Sequence, residues 1–408
     1  MDIHILKSTI NRKSSLTITG SKSESNRLLL LQALYPNVRI DNLSNSDDSV
    51  LMQKALASNE NLIDIHHAGT AMRFLTAYFS VQEGREVVLT GSQRMKERPM
   101  KILVDALKDL GADIQYISNE GFPPLRIKGK RLVNSEVTLK ANVSSQYISA
   151  LLLIASRLDN GLEITLDGKI TSVPYIKMTL HLLDQLGIET SFKSNVISVE
   201  PLSQSFESKI VVVESDWSSA SYFYSLAALS ELNTEITLST YKKESLQGDS
   251  VLAEQYQLFG VETSFEDNRI KLRKASMVDD QSSINLDLSD APDIAQTIVV
   301  TAFGLGLECY LTGLHTLKIK ETDRLVALKT ELEKLGAEVT ITDSTLHLKF
   351  SNTIKNDVSI ATYNDHRMAM AFAPLGLKTS LKIENSDVVS KSYPQFWEDL
   401  STLGFRLK

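Results

Sequence analysis

The segment LKTELEKLGAEVTI, residues 328–341, contains the pattern that decides the fold. Leu328, Leu332 and Leu335 recur at helical spacing, so we expect an amphipathic helix before the glycine. Gly336 stands where helices commonly end in a left-handed residue, a conformation that glycine adopts without strain. The alternation of apolar and polar residues after it predicts strands. The segment is therefore interpreted as a helix, a glycine and a β-rich run.

The same pattern occurs in four further segments: ILVDALKDLGADIQYI (102–117), TLHLLDQLGIETSF (179–192), LAEQYQLFGVETSF (252–265) and FWEDLSTLGFRLK (396–408). The five glycines are spaced by 76, 73, 76 and 68 residues: Gly111, Gly187, Gly260, Gly336 and Gly404. Residues 49–65, SVLMQKALASNENLIDI, are interpreted as a sixth copy without the glycine. Other apolar helices lie between the copies, so the repeating unit is predicted to be about 70 residues of mixed α and β structure.

Six units predict an α/β protein of two domains with three units each, which suits a chain of 408 residues. We place the boundaries near Gly20 and Val213. One domain then comprises residues 21–213, and the other comprises residues 1–20 and 214–408. The first strand, residues 1–19, is expected to pair with the C-terminal half.

Composition excludes several classes of protein. A net charge of −7 and a pI near 5.6 argue against a general affinity for nucleic acid or anionic membranes. The single cysteine, Cys309, allows no intrachain disulfide and lies in an apolar segment typical of a buried thiol. No apolar run reaches the ~18 residues of a transmembrane helix, and the N-terminus does not resemble a signal or transit peptide. We expect a cytoplasmic monomer.

Cations precede or open several apolar helices. In ATYNDHRMAMAFAPLGL, residues 361–377, Arg367 stands at the positive end of the helix dipole, where a cation is disfavoured. Arg27, Arg73 and Arg324 are predicted to lie in the first turn of other apolar helices. A solvated arginine explains any one of these cases. The four together favour a local anion-binding crater inside an acidic protein.

Two polar segments carry candidate chemistry beside these arginines. Asp293, in APDIAQT, heads a buried helix and is interpreted as either a helix cap or a general base. Lys320 and Arg324, in KIKETDRL, are four residues apart, so we expect both on one helical face with Glu321 beside them. The adjacent pair His66 and His67 lacks metal-ligand spacing, and no metal site is expected there.

Taken in order, the polar segments resemble the EPSP synthase (3-phosphoshikimate 1-carboxyvinyltransferase) family over the whole chain. The matching motifs are GSKSxSNR, AGTAMR, RMKERP, SSQ, PDxAxT, KETDRL, YNDHRMAMAF and K-x-YPxFW. The resemblance implies two domains, each of three βαβαββ units, with the active site in the cleft between them. It implies transfer of the enolpyruvyl group of phosphoenolpyruvate to the 5-hydroxyl of shikimate 3-phosphate, without a metal or organic cofactor.

The resemblance also implies a role for each matching residue. Shikimate 3-phosphate is assigned to Lys22, Ser23, Arg27, Ser144, Ser145, Gln146, Ser172, Tyr175, Asp293, Thr316 and Lys320. Phosphoenolpyruvate is assigned to Lys22, Gly69, Arg94, Gln146, Arg324, Arg367 and Lys391. Asp293 is the expected base for the 5-hydroxyl and Glu321 the expected acid for the methylene carbon. Lys22 and His366 are expected to assist proton transfer. In this family the inhibitor glyphosate occupies the phosphoenolpyruvate site, and we expect Gly69 to leave room for it.

Three positions depart from the family pattern: Thr19, His67 and Thr316 stand where proline, asparagine and asparagine are common. Two alternatives remain open on the sequence. The first is the sister transferase that acts on UDP-N-acetylglucosamine, although it typically depends on a loop cysteine that this chain lacks. The second is a non-catalytic anion-binding homologue, which would need the cations but not both Asp293 and Glu321.

Overall fold

The computed structural model describes residues 1–140, 144–168, 170, 173–202, 207–279 and 282–408. The chain divides into two compact units. Unit 1 comprises Met1–Thr19 and Glu214–Lys408, and unit 2 comprises Gly20–Val213. Gly20, expected in the discontinuous domain, lies in unit 2.

Helices and strands alternate along the described residues. Unit 1 begins with two strands, β1 (Ile3–Leu6) and β2 (Lys13–Thr17). The helices of unit 2 are α1 (Lys22–Leu34), α2 (Asp47–Ala57), α3 (Gly69–Ser80), α4 (Lys101–Asp109), α5 (Ser145–Ala155) and α6 (Val173–Gln185). Its strands are β3 (Val38–Asp41), β4 (Leu62–Asp64), β5 (Glu86–Thr90), β6 (Asp113–Tyr116), β7 (Leu125–Lys128), β8 (Glu136–Lys140), β9 (Leu162–Asp167), β10 (Thr190–Lys193), β11 (Val196–Val199) and β12 (Lys209–Val212).

The remainder of unit 1 continues the alternation. Its helices are α7 (Trp217–Leu229), α8 (Leu252–Gln255), α9 (Ala295–Leu305), α10 (Arg324–Leu335), α11 (His366–Phe372) and α12 (Phe396–Leu403). Its strands are β13 (Glu235–Ser239), β14 (Val261–Glu266), β15 (Arg269–Lys274), β16 (Ser283–Asp287), β17 (Glu308–Thr312), β18 (Val339–Ile341), β19 (Leu346–Leu348), β20 (Val358–Ile360), β21 (Leu381–Ile383) and β22 (Arg406–Leu407).

The described strands form six small sheets, three in each unit. Five of them share one arrangement, in which a parallel pair continues into two antiparallel partners. The orders are β4-β5-β7-β6, β8-β9-β11-β10, β2-β13-β15-β14, β16-β17-β19-β18 and β20-β21-β1-β22. The sixth sheet is the parallel pair β3 and β12. The predicted α/β fold of repeated units is confirmed.

The N-terminal segment contributes two strands rather than one. β1 pairs with β21 and β22, and β2 pairs in parallel with β13, so both complete sheets of unit 1. The expectation that this segment pairs with the C-terminal half is confirmed.

The glycines that mark the repeat lie at the ends of their helices with positive φ, between 74° at Gly260 and 111° at Gly404. The copy before Gly260 differs from the prediction, because α8 ends at Gln255 and Tyr256–Phe259 continue as a 3₁₀ turn.

Two helices of unit 1 are almost entirely buried. α7 and α9 pack against one another, and most of their residues are shielded from solvent. Cys309 is fully buried in β17, as predicted. No helix in the described part of the chain is both long and apolar enough to cross a membrane.

Candidate functional site

Arg324 is the centre of a charged cluster in unit 1. It opens α10, whose N-cap Asp323 accepts hydrogen bonds from the next backbone N–H groups. The side chain of Arg324 is 2% exposed. Its guanidinium contacts Asp365 at 2.6 Å, Asp293 at 2.8 Å and Glu321 at 2.8 Å. Burial alone lowers the pKa of Arg324, but Asp365, Glu321 and Asp293 outweigh it and raise the pKa above its usual value.

Asp365 explains how a cation can stand at the start of an apolar helix. Its carboxylate caps α11 by accepting from the backbone N–H of Arg367 at 2.9 Å, and it is fully buried. The negative charge that the helix dipole favours therefore comes from the protein itself. Arg367 is 8% exposed, so the interpretation of Arg367 as a solvated cation is wrong. Sequence reasoning missed Asp365, although an aspartate before a helix is a known capping signal.

Asp293 is surrounded by cations. It lies in the 3₁₀ turn Pro292–Ile294 before α9. Its carboxylate is 2.8 Å from Arg324, 3.3 Å from Lys320 and 3.5 Å from Arg367, and its carbonyl oxygen accepts from Arg367 Nη1 at 2.9 Å. The carboxylate of Asp293 is therefore contacted by all three cations.

Lys320 contacts this cluster, but it does not lie on the helix predicted for it. It follows the 3₁₀ turn His315–Ile319 and precedes α10, so it does not share a helical face with Arg324. Both side chains nevertheless contact the carboxylate of Asp293.

Other candidates lie at the edge of the cluster or apart from it. His366 is 2% exposed, and its Nδ1 is 3.8 Å from the Asp365 carboxylate. Lys391 Nζ donates to the carbonyl oxygen of Asn364 at 2.5 Å, close in sequence to Asp365. Thr316 Oγ1 is buried and has no hydrogen-bond partner among the described residues.

In unit 2, Arg27 is buried and hydrogen-bonded to neutral groups, and the buried Glu24 carboxylate lies close enough to favour its charged form. It lies in the second turn of α1, not the first, and is 2% exposed. Its donors bond Ser23 O at 2.7 Å, Thr179 Oγ1 at 2.8 Å, Ser149 Oγ at 2.9 Å and Tyr175 O at 3.3 Å. Burial lowers the pKa of Arg27 to about 10. None of its described hydrogen-bond acceptors is a carboxylate.

Arg73, near Gly69, is a second buried arginine of unit 2. It too lies in the second turn of its helix, and it donates from Nη1 to the Gly69 carbonyl at 2.8 Å. Its Nε is buried without a hydrogen-bond partner in the described part of the chain. Burial, and after it the nearby Arg98, lower the pKa of Arg73 to about 10. A Cβ built on Gly69 would overlap the Arg98 guanidinium. The expected room beside Gly69 is therefore occupied by Arg98.

The remaining candidates of unit 2 lie at helix starts and in loops. Lys22 opens α1, and Ser145 opens α5. Ser144 caps α5, and its Oγ accepts from the N–H of Gln146 at 3.4 Å.

Gln146 also donates from Nε2 to Thr70 Oγ1 at 3.4 Å, which links α5 to the start of α3. Arg94 is exposed and pairs with Glu97 at 3.1 Å. Ser172 lies outside the described residues. Among the described residues, no group of three or more His, Cys, Asp or Glu side chains is arranged to hold a metal ion.

Solved structures identify the class of this fold. An EPSP synthase from Acinetobacter baumannii matches with a TM-score of 0.79 at 21% identity, covering 100% of this chain and 99% of that one. The enolpyruvyl transferase NikO from Streptomyces tendae matches with a TM-score of 0.76 at 12% identity, covering 100% and 98%. The chain has the two-domain enolpyruvyl transferase fold.

Sequence relatives narrow the class to one family. Residues 51–400 match the family model of EPSP synthase (3-phosphoshikimate 1-carboxyvinyltransferase). The 3-phosphoshikimate 1-carboxyvinyltransferase of Bacteroides fragilis is 46% identical over 99% of this chain and 98% of its own length. That of Mannheimia succiniciproducens is 34% identical over 96% of each. The chain belongs to the EPSP synthase family.

Proposed function

We propose that this protein transfers the enolpyruvyl group of phosphoenolpyruvate to the 5-hydroxyl of shikimate 3-phosphate and releases phosphate. The reaction belongs to the shikimate pathway of aromatic amino-acid biosynthesis, in the cytoplasm. Family membership supports the reaction. The observation that carries the assignment to this site is the carboxylate of Asp293, held within 3.5 Å of Arg324, Lys320 and Arg367.

In this proposal, the cations of each unit bind anionic groups of the substrates. Each substrate carries a phosphate and a carboxylate, and bringing four anionic groups together requires fixed positive charge. Arg367 holds phosphoenolpyruvate from unit 1, while Arg324 is ion-paired with Asp365, Asp293 and Glu321. Arg27 and Lys22 hold shikimate 3-phosphate from unit 2, where the buried guanidinium of Arg27 bonds neutral acceptors.

The chemistry is an addition followed by an elimination. Asp293 takes the proton of the 5-hydroxyl while that oxygen bonds to C2 of phosphoenolpyruvate, and Glu321 gives a proton to C3. In the elimination, the Glu321 carboxylate takes a proton back from C3 while the C2–O bond to phosphate breaks, which restores the double bond. The proton held by Asp293 leaves with the phosphate. Arg324 contacts both carboxylates, at 2.8 Å each, so one guanidinium orients the base and the acid.

Phosphate release tests this proposal against both alternatives. We expect release when shikimate 3-phosphate and phosphoenolpyruvate are supplied together, and none from either alone. Release with UDP-N-acetylglucosamine in place of shikimate 3-phosphate would identify the sister activity. Binding of the anions without any release would identify a non-catalytic homologue.

Asp293→Asn tests the role of the base. We expect kcat to fall by roughly 10²–10⁴-fold, the usual contribution of a positioned base, while shikimate 3-phosphate still binds. Asp343→Asn is the control, because Asp343 is 93% exposed and pairs only with the surface residue Lys318 among its described neighbours. Near wild-type turnover in Asp293→Asn would exclude Asp293 as the base.

A further inference from the structure

Ser218 connects Arg367 to a buried carboxylate that has no assigned role. Ser218 lies in the first turn of α7, and its hydroxyl accepts from Arg367 Nη2 at 3.1 Å. The same hydroxyl donates to Asp249 Oδ2. Asp249 lies in the 3₁₀ turn Gly248–Val251, so three separate elements meet at one hydroxyl.

The direction of these hydrogen bonds is fixed by chemistry. A guanidinium only donates, so the Ser218 oxygen must be the acceptor toward Arg367. A serine hydroxyl has a single proton, and an ionised carboxylate only accepts, so that proton points to Asp249. Asp249 therefore orients the lone pairs of Ser218 toward the guanidinium.

Asp249 is costly to keep at this position. It is 4% exposed, and its Oδ1 has no hydrogen-bond partner among the described residues. Burial raises the pKa of Asp249 to about 6, against the opposing effect of Arg367, and Asp293 and Asp216 also raise it. A buried, partly satisfied carboxylate is unfavourable for folding, so its presence here points to a role other than stability.

Ser218 competes with Asp293 for the guanidinium of Arg367. Nη1 already bonds the Asp293 carbonyl at 2.9 Å, while Nη2 lies 3.5 Å from the Asp293 carboxylate and 3.1 Å from Ser218. Without the hydroxyl, a small rotation would bring Nη2 onto the Asp293 carboxylate. Such a closed ion pair would withdraw the cation from a bound anion.

We propose that Ser218 and Asp249 are positioning residues, which keep Nη2 of Arg367 from closing onto the Asp293 carboxylate so that the guanidinium can bind the anionic groups of phosphoenolpyruvate. This inference rests on the proposed function, in which Arg367 is a ligand of phosphoenolpyruvate.

Steady-state kinetics of Ser218→Ala test the first connection. We expect KM for phosphoenolpyruvate to rise about tenfold, the scale of a hydrogen bond to a charged group, with kcat and KM for shikimate 3-phosphate changed less than about threefold. Ser218→Thr keeps the hydroxyl, so its KM for phosphoenolpyruvate should stay near that of the wild type. Ser221→Ala is the matched control, since Ser221 lies on the same helix but bonds Thr297 and the Ser218 carbonyl.

Asp249 is tested through the double variant. Asp249→Ala alone should raise KM for phosphoenolpyruvate, and Asp249→Ala with Ser218→Ala should raise it no further, because Asp249 acts through Ser218. Asp249→Asn keeps an acceptor for the hydroxyl and should stay near the wild type. Thermal unfolding of each variant monitors folding, and the Asp249 variants decide the matter if Ser218→Ala does not fold.

Three results would overturn the inference: an unchanged KM in folded Ser218→Ala, an equal rise in Ser221→Ala, or additive effects in the double variant. A wild-type protein that releases no phosphate from its two substrates would instead refute the proposed function.

Discussion

Asp365 is the one carboxylate in the Arg324 cluster that is fully shielded from water. Removing one partner of such a pair leaves a buried charge uncompensated, which costs about 3–5 kcal/mol, whereas exposed pairs contribute about 1 kcal/mol or less. We expect Asp365→Asn to lower the free energy of unfolding by about 3 kcal/mol. Asp343→Asn, which breaks an exposed pair with Lys318, should lower it by less than about 1 kcal/mol. Denaturant unfolding of both variants measures the difference. Equal losses would mean that the remaining partners, Asp293 and Glu321, compensate Arg324 fully.

Gly69 is constrained by the side chain of another arginine. A Cβ at this position would overlap the end of the flexible Arg98 side chain, so Gly69→Ala should fold with Arg98 displaced. An added methyl in a pocket discriminates between ligands by about 10–200-fold. We expect Gly69→Ala to raise the inhibition constant of glyphosate by that factor, and KM for phosphoenolpyruvate by less, because glyphosate is the longer ligand.

Gly69→Ala can weaken ligand binding through the added methyl itself or through the displacement of Arg98. Inhibition series on Gly69→Ala, Arg98→Ala and the double variant separate these two causes. If displacement of Arg98 causes the loss of phosphoenolpyruvate affinity, Gly69→Ala should have little further effect in the Arg98→Ala background. Equal inhibition of the wild type and Gly69→Ala would show that Gly69 does not control access.

At the scale of helices and strands, the sequence predicts those features that residues within one segment determine. Helix periodicity and glycine placement were sufficient for α10 and its end at Gly336, because both are set by residues within one segment. The pattern could not show that Lys320 precedes α10, since propensity leaves helix starts uncertain until a cap such as Asp323 is recognised. Contacts between distant segments, such as Ser218 with Asp249, carry no sequence signal.

Gly336 and Gly260 both end a helix with positive φ, but the space around them differs. Gly336 has a φ of 106°, and a Cβ there would lie 3.5 Å from its nearest neighbour. Gly260 has a φ of 74°, and a Cβ there would overlap the Ser276 carbonyl. We expect Gly336→Ala to cost about 1–2 kcal/mol from backbone strain alone, and Gly260→Ala clearly more, because backbone must also move. Denaturant unfolding of the two variants measures both costs, and equal costs would show that the overlap at Gly260 relaxes freely.

Across the whole molecule, an acidic chain concentrates cations at a few buried positions. The net charge is −7, yet Arg27, Arg73, Arg324 and Arg367 are each at most 8% exposed. Composition alone therefore does not indicate these buried cations, and the placement of arginines in the first two turns of apolar helices is the informative feature. Burial could not be predicted, because it depends on helices from other repeats, such as α5 and α6 around Arg27.

Lys274 makes the stability of the whole of unit 1 depend on pH. The residue is 1% exposed and donates from Nζ to the Phe259 carbonyl at 2.8 Å. Burial, and after it Lys378, lower the pKa of Lys274 to about 8, from about 10.4 in an unfolded chain. Between these values the unfolded chain binds more protons, so the contribution of Lys274 makes the free energy of unfolding rise with pH.

We expect Lys274→Met to be more stable than the wild type at pH 7, and this advantage to shrink by about 1–2 kcal/mol by pH 9.5. Denaturant unfolding followed by tryptophan fluorescence reports this directly, since both tryptophans, Trp217 and Trp397, belong to unit 1. Lys271→Met is the matched control, because Lys271 lies on the same strand with a side chain 38% exposed. Its stability relative to the wild type should not change over this range. Parallel pH profiles for all three proteins would mean that Lys274 has the same pKa in the folded and the unfolded state.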